Sequence, residues 1–266
     1  LSGSGNHASQ INGAPQYQDS GALYVDNGDY FQLPNFAEIE NNLTIFFVVD
    51  YDAGGNFLCK MDGDLTWELA EHSWWFGNGS NAGSGSYPSF VGHSRSYFVA
   101  NSGISSERSL LSFEKNNASY NDANYAWNSD GVKLGTGIGN YNNNGDNNQP
   151  FFLGGCPVTH GFHGNRNFTG SLNEVLVFNN LLSDADKYKI NLYLSQKWGL
   201  TEVVDSDGDG NFDDNDCDPA DENSYVDLGC GCGEAGPSGC DNTCSSTLED
   251  DECGECGGDG SPDNFT

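Results

Sequence analysis

Positive charge is nearly missing from this chain. Its 266 residues carry nine Lys or Arg against 39 Asp or Glu, a formal net charge of −30. A field of that sign repels phosphate backbones and argues against a nucleic-acid partner; it also disfavours anionic membrane surfaces. No apolar run approaches the roughly 20 residues that a membrane-crossing helix needs. Methionine occurs once. What the chain has in quantity is Gly (36), Asn and Ser, with 16 Phe and 12 Tyr. That profile suits short strands joined by many turns and not a helical bundle. The chain opens at Leu1 with neither a Met nor a signal peptide, as a processed product does.

The shortages deepen after Leu200. Lys197 is the last basic residue, and from Asp205 to Thr266 there are 19 Asp or Glu. The large apolar side chains left there are Phe212, Tyr225, Val226, Leu228, Leu248 and Phe265. A stretch so poor in them cannot bury a core of its own, so metal and cross-links must hold it. Two units follow: a domain over residues 1–200 and an acidic, cysteine-rich tail over 201–266.

The tail opens on Asp205-Ser-Asp-Gly-Asp-Gly-Asn-Phe-Asp-Asp-Asn-Asp216. Asp205, Asp207, Asp209, Asp213 and Asp216 stand at loop positions 1, 3, 5, 9 and 12, the spacing of an EF-hand-type calcium loop. Gly210 falls at the sharp turn, and the carbonyl of Asn211 can complete the oxygen shell. Five carboxylates this close repel one another without a cation, so Ca²⁺ is the expected cofactor.

Residues 1–200 read as strands separated by Gly- and Asn-rich loops. The candidates are 22–25, 30–33, 43–51, 57–60, 65–69, 96–100, 110–113, 131–134, 150–153 and 172–178. Many strands at this spacing predict a two-sheet, all-β sandwich. One helix stands out. Ser183 suits its N-cap, Asp184 and Asp186 its first turn, and Gly199 its C-terminal exit. Ile190, Tyr193, Leu194 and Trp198 supply an apolar face to lie on the sandwich.

The run Phe168-Thr-Gly-Ser-Leu-Asn-Glu-Val-Leu-Val-Phe178, then Leu182-Ser-Asp-Ala and Tyr193-Leu-Ser-Gln-Lys-Trp-Gly-Leu200, resembles the end of a LamG-like, concanavalin A-like jelly roll. Ala22-Leu-Tyr-Val-Asp-Asn-Gly-Asp-Tyr-Phe-Gln-Leu-Pro34 and Leu43-Thr-Ile-Phe-Phe-Val-Val49 resemble its first strands. The resemblance implies a jelly-roll sandwich closed by one helix, in a family whose members bind sugars, adhere or space other modules. Asp205–Cys217 resembles a thrombospondin type 3 calcium repeat, which also places Cys after its position-12 acid. Cys253-Gly-Glu-Cys256-Gly-Gly-Asp-Gly resembles a short motif of secreted multidomain proteins. Laminarinase-type hydrolases of the jelly-roll fold carry Glu-x-Asp-x-x-Glu on a strand, and no such run exists here. Glu68, Glu71 and Glu174 are isolated, and the five histidines show no spacing to a nucleophile. The chain is read as non-enzymatic.

Cys59 and Cys156 lie in the sandwich region, either bonded to each other or as core thiols. Cys217, Cys230, Cys232, Cys240, Cys244, Cys253 and Cys256 lie in the tail. Cys230-x-Cys232 and Cys253-x-x-Cys256 also suit zinc; the calcium loop argues for an oxidising compartment and hence for disulfides. Trp74 and Trp75 are candidates for sugar stacking, with core filling as the alternative. Asn42, Asn78, Asn117, Asn167 and Asn264 head Asn-x-Ser/Thr sequons. Together these features place the protein outside the cell. The expected role is a structural subunit whose tail docks on other copies of the same chain, a head-to-tail contact that propagates as a filament. The alternative is a polysaccharide-binding or adhesion module of a larger secreted protein.

Overall fold

A computed structural model describes residues 9–26, 28–34, 42–53, 55–60, 74–78, 88–91, 97–99, 107–116, 125–137, 150–155 and 168–260. Within them lie β1 (Ser9–Asn12), β2 (Gln16–Tyr17), β3 (Leu23–Val25), β4 (Tyr30–Leu33), β5 (Leu43–Ala53), β6 (Asn56–Lys60) and β7 (Trp74–Asn78). There follow β8 (Pro88–Val91), β9 (Tyr97–Val99), β10 (Ser109–Lys115), β11 (Tyr125–Ser129), β12 (Val132–Gly137), β13 (Phe151–Leu153), β14 (Thr169–Phe178) and the helix α1 (Asp184–Trp198).

The strands form two seven-stranded sheets, ordered β1-β4-β13-β6-β7-β8-β9 and β12-β11-β10-β5-β14-β3-β2. Neighbouring strands run antiparallel throughout, as in β5 with β10 and with β14. The molecule is the all-β jelly-roll sandwich expected, with one helix and a disulfide-bonded tail.

The unbroken apolar run of β5 has a structural reason. Side chains alternate across a strand, and both faces of this central strand are covered. Ile45, Phe47 and Val49 enter the core between the sheets, while Phe46 and Val48 point the other way, into a second cluster with Leu194 of α1. In the inter-sheet core Phe47, Phe57, Phe76, Phe113 and Trp127 pack at ring separations such as 4.8 Å (Phe76–Phe113) and 4.9 Å (Phe113–Trp127). Trp127 is wholly buried there and serves as core filling. In β14 the face changes parity. Leu172 and Val175 both meet the inter-sheet core because the register slips between Leu172 and Glu174.

α1 begins and ends as its sequence predicts. Ser183 Oγ accepts from Asp186 N at 3.2 Å, and Gly199 leaves the helix at φ 68°. Tyr193 departs from the expected apolar face, being 49% exposed. At about 100° per residue, Ile190, Leu194 and Trp198 span about 80°; the buried side continues past Trp198 to Ser195, whereas Tyr193 lies about 60° beyond Ile190 on the opposite, exposed side. Its hydroxyl accepts instead from Lys197 Nζ at 3.0 Å. The helix is fastened to its sheet by polar contacts at both ends. Lys187 pairs with Glu114 of β10 at 2.8 Å, and Trp198 Nε1 donates to Glu174 Oε2 at 2.8 Å. Arg108 grips Asp50 through two bonds, 2.9 and 3.0 Å, and donates to the Trp198 carbonyl at 3.3 Å.

β1, β2, β7, β8 and β11 were not among the expected strands. β8 begins at Pro88, a residue that argues against a strand except at its first position. β11 reads Tyr-Ala-Trp-Asn-Ser with strict alternation of buried and half-buried residues, too few of them aliphatic to stand out. The expected strand at 65–69 lies outside the described residues, as does the Asn-rich stretch 139–148.

Candidate metal centre

The acidic loop starts on the sandwich. Leu200 and Val204 are buried with Phe46, Val48 and Leu110, so the chain leaving α1 turns back to the sheet before it enters the loop. Asp205 N then donates to the carbonyl of Asp130, in the β11–β12 turn, at 3.1 Å. Gly131 makes that approach feasible. A Cβ there would stand 1.5 Å from the Asp205 carbonyl oxygen, and its φ of +85° suits glycine. Asp130 itself sits at φ 52°, its carboxylate accepting from Leu110 N at 2.7 Å and Ser129 Oγ at 2.8 Å. Burial pushes that carboxyl above the usual aspartate range despite both bonds.

Inside the loop, carboxylates organise the backbone. Asp205 accepts from Gly208 N at 2.7 Å and from Gly210 N at 2.9 Å, one oxygen each. Asp207 accepts from Asp209 N at 3.2 Å, Asp209 from Asn211 N at 2.8 Å, and Asp216 from Asp218 N at 2.8 Å. Each of these last three uses one oxygen. The second, Oδ2 of Asp207, Asp209 and Asp216, is buried and meets no hydrogen-bond donor. Asp207 as a residue is only 3% exposed.

Three buried carboxylate oxygens without donors are costly, since a buried charge needs a partner. Ligand oxygens of Asp205, Asp207 and Asp209 lie within 4.8 Å of one another. Oxygens about 2.3–2.6 Å from one calcium ion lie at most about 5 Å apart, so the three can share a cation. Burial raises Asp207 to about 6, with the charges of Asp209, Asp216 and Asp205 adding to the effect. Burial also raises Asp216, and Asp209 and Asp218 push in the same direction. An all-oxygen donor set of this kind suits a hard divalent cation.

Asp213, at the ninth position, is turned to another task. Its Oδ1 accepts from Ser206 N at 2.9 Å, and its Oδ2 from Ser206 Oγ at 2.9 Å. The same Oδ2 accepts a short bond from Ser195 Oγ on α1. Three donors from two directions make Asp213 the tie between loop and helix. Asn191 Nδ2 adds a bond to the Ser206 carbonyl at 3.0 Å, and Tyr188 donates to Glu222 at 3.0 Å. Ser195, Asn191, Ser206 and the Asp130–Gly131 turn were not singled out from sequence. One signal was available: Ser195 is a polar residue on the buried stripe of α1, and such a residue needs a partner.

Beyond the loop the tail is cross-linked. Cys217–Cys232, Cys230–Cys244 and Cys240–Cys256 are disulfides, and Cys253 is a free, exposed thiol. Cys230, Cys232 and Cys256 are thereby excluded as zinc ligands, which overturns that alternative, and Cys253 leaves the set of bonded cysteines. Cys59 is disulfide-bonded as well; Cys156 lies outside the described residues. Asp227 accepts from Gly229 N at 2.7 Å and Gly231 N at 3.0 Å; Asp251 accepts from Cys253 N at 2.8 Å and Glu255 N at 2.9 Å. Tyr225, Leu228 and Leu248 are exposed on this arm.

Trp74 and Trp75 lie on β7, in register with Lys60 and Cys59 of β6. Asn78 ends that strand, and Asn42 precedes β5; Asn117, Asn167 and Asn264 fall outside the described residues. The histidines, with Glu68 and Glu71, fall outside them too. Glu174 is engaged, bonded to Trp198 and paired with Lys197 at 2.7 Å.

No protein-family model and no curated protein matches this chain. Among solved structures, that of botulinum neurotoxin type C, whose cell entry depends on two ganglioside molecules, is 13% identical at a TM-score of 0.49, covering 73% of this chain and 48% of that one. The CBM40 of the Ruminococcus gnavus IT-sialidase, bound to α2,3-sialyllactose, is 13% identical at 0.47, covering 62% and 93%. Mouse laminin α1 LG4–5 is 12% identical at 0.44, covering 69% and 48%. This chain therefore spans about half the length of the neurotoxin and laminin chains. At these scores the likeness carries no functional argument, and the fold rests on the strand pairing itself.

Proposed function

We propose that this chain is a non-enzymatic, extracellular structural module in which Ca²⁺ locks an acidic arm to a jelly-roll sandwich. The arm then docks on a second copy, head to tail, to build a filament or surface fibre. The observation that carries the calcium reading is that Asp205, Asp207 and Asp209 bring carboxylate oxygens within 4.8 Å of one another at the root of the arm, Asp207 and Asp209 each with a buried oxygen that meets no donor. Asp205, Asp207, Asp209 and Asp216 supply carboxylate oxygens to the ion, and the Asn211 carbonyl completes the shell. The disulfides support an oxidising compartment. Millimolar calcium outside cells matches the weak affinity of extracellular calcium modules.

Calcium stiffens the joint because the loop lies between two fixed points, the Asp130 carbonyl of the β11–β12 turn and Ser195 of α1. With the loop filled, the direction in which the arm leaves the sandwich is set. Exposed Tyr225, Leu228 and Leu248 give the arm apolar surface to bury on a neighbouring copy.

Electron microscopy and sedimentation of the intact chain, in millimolar calcium and in chelator, test the proposal. Calcium-dependent particles longer than a monomer are expected, and their loss on chelation. Monomers under both conditions overturn the filament. Specific glycan-array binding by those monomers, lost in Trp74→Ala or Trp75→Ala, makes the chain the polysaccharide-binding or adhesion module instead.

A further inference from the structure

The acidic loop underfills a calcium ion, which takes six to eight oxygens. Asp205, Asp207 and Asp209 bring oxygens within 4.8 Å of one another, and Asp207, only 3% exposed, has one oxygen that meets no donor. Asp209 and Asp216 carry one such oxygen each. None of the four has both oxygens free of backbone N–H groups, so each is expected to give the ion one oxygen and not two. Asp213, at the ninth loop position, is held by Ser206 N, Ser206 Oγ and Ser195 Oγ and gives none. With the Asn211 carbonyl, the chain's own contribution is complete at five oxygens. One to three positions on the ion are left for donors from outside.

The burial pattern says from which side those donors come. Asp205, Ser206, Asp207 and Asp213 are buried, whereas Gly208, Gly210, Asp214 and Asn215 are exposed. The open side of the loop is the solvent side. Phe212 stands there, one residue after the Asn211 carbonyl and 45% exposed. Its own carbonyl accepts from Asn215 N at 2.8 Å, which fixes the turn that carries it.

Charge selects the donor. Four carboxylates around a divalent ion leave two negative charges in excess, on a chain of net charge −30. A further carboxylate, sulfate or phosphate is repelled. A neutral pair of oxygens is not, and the vicinal hydroxyls of a sugar replace two bound waters without adding charge. The C–H face of the same sugar matches the apolar face of an exposed aromatic ring.

We infer that the calcium loop is also a binding site for neutral glycans, a vicinal diol filling the ion's shell and Phe212 supplying the apolar contact. The inference rests on the calcium reading above and is independent of the filament. It places glycan contact at the root of the arm and not at Trp74 or Trp75 of β7.

Two measurements on the intact chain test it. Europium is bound in place of calcium, and its luminescence decay in light and heavy water counts the waters on the ion. The chain is also screened, in calcium and in chelator, on an array of neutral, sialylated and sulfated glycans. Waters on the bound ion, calcium-dependent capture of neutral glycans and a lower water count once a captured glycan is added are expected. Phe212→Ala should weaken capture about tenfold, the scale of one aromatic contact, with europium still bound. Trp75→Ala should leave capture unchanged. Bound europium without waters, no neutral glycan captured in calcium, capture that persists in chelator, or capture confined to anionic glycans each overturns the glycan site alone. Failure of europium to bind overturns the calcium reading with it.

Discussion

Asp207 and Asp213 are two carboxylates of one loop, and the structure gives them opposite consequences on removal. Asp207 lacks a donor on one oxygen and is crowded by Asp209, Asp216 and Asp205, with its carboxyl raised from 3.8 to about 6. A carboxylate raised above its unfolded value costs stability at neutral pH, where it is ionised against its surroundings. At 1.36 kcal/mol per pKa unit the cost is at most about 3 kcal/mol, and solvent screening reduces it. Asp207→Asn should therefore raise the metal-free unfolding free energy, by about 1–2 kcal/mol, or a few degrees in Tm at this size. The same change removes a ligand, so the calcium increment collapses. For the natural chain that increment is about 2.7 kcal/mol when calcium is a hundredfold above Kd.

Asp213→Ala acts the other way. It strips the acceptor from Ser206 N–H and Ser206 Oγ–H, and it cuts the tie to the fully buried Ser195, whose Oγ–H is left with the Leu192 carbonyl at 3.1 Å. Bonds to a charged acceptor contribute about 1.5–3 kcal/mol each and are not additive. A loss of about 3–5 kcal/mol is expected in calcium and in chelator alike. Thermal unfolding of both variants with and without calcium reads the contrast. If Asp213→Ala abolishes the calcium increment and leaves metal-free stability intact, Asp213 is a ligand and the reasoning on its hydrogen bonds is refuted.

Three further outcomes are expected. Reduction of the arm should open closed loops of 14–16 residues, each worth about 3 kcal/mol; limited proteolysis should then cut within 217–256 while the sandwich survives, and an arm still protected speaks against the disulfides as its main support. Acid should loosen the arm's turns. The backbone N–H groups of Gly231 and Glu255 head the causes holding Asp227 and Asp251 below the ordinary aspartate range. Their contribution is present above the unfolded value of about 4 and fades as pH falls through the lower folded values; amide exchange at Gly229, Gly231 and Glu255 should speed up there, and unchanged protection contradicts the assignment. Trp127→Ala should cost about 3–5 kcal/mol, as for a large aromatic deleted from a packed core. A shift in Tm below a degree or two would show that its cluster repacks.

Much was legible from residue order because it is local. The cap Ser183, the exit Gly199 and the acidic first turn of α1 act within a few residues of themselves, as does the turn chemistry of Gly210 in the loop. The doubly covered strand β5 announced itself through an apolar run with no polar face. Strands with few aliphatic residues did not. β11 is held by its pairing with β10 and by the aromatic cluster around Trp127, contacts made at long range.

The sequence by itself determined the chemistry available: oxygen donors at metal-loop spacing, cysteines enough to staple a coreless arm, and apolar alternation for two sheets. These depend on side-chain type and on short separations along the backbone. The tertiary structure decided how those groups are used. Whether Asp213 faces an ion or a helix depends on where Ser195 arrives, and that is set by α1 lying on Phe46, Val48 and Leu110. That Asp205 begins its loop against the Asp130–Gly131 turn depends on a contact between residues 75 positions apart, which no local pattern encodes.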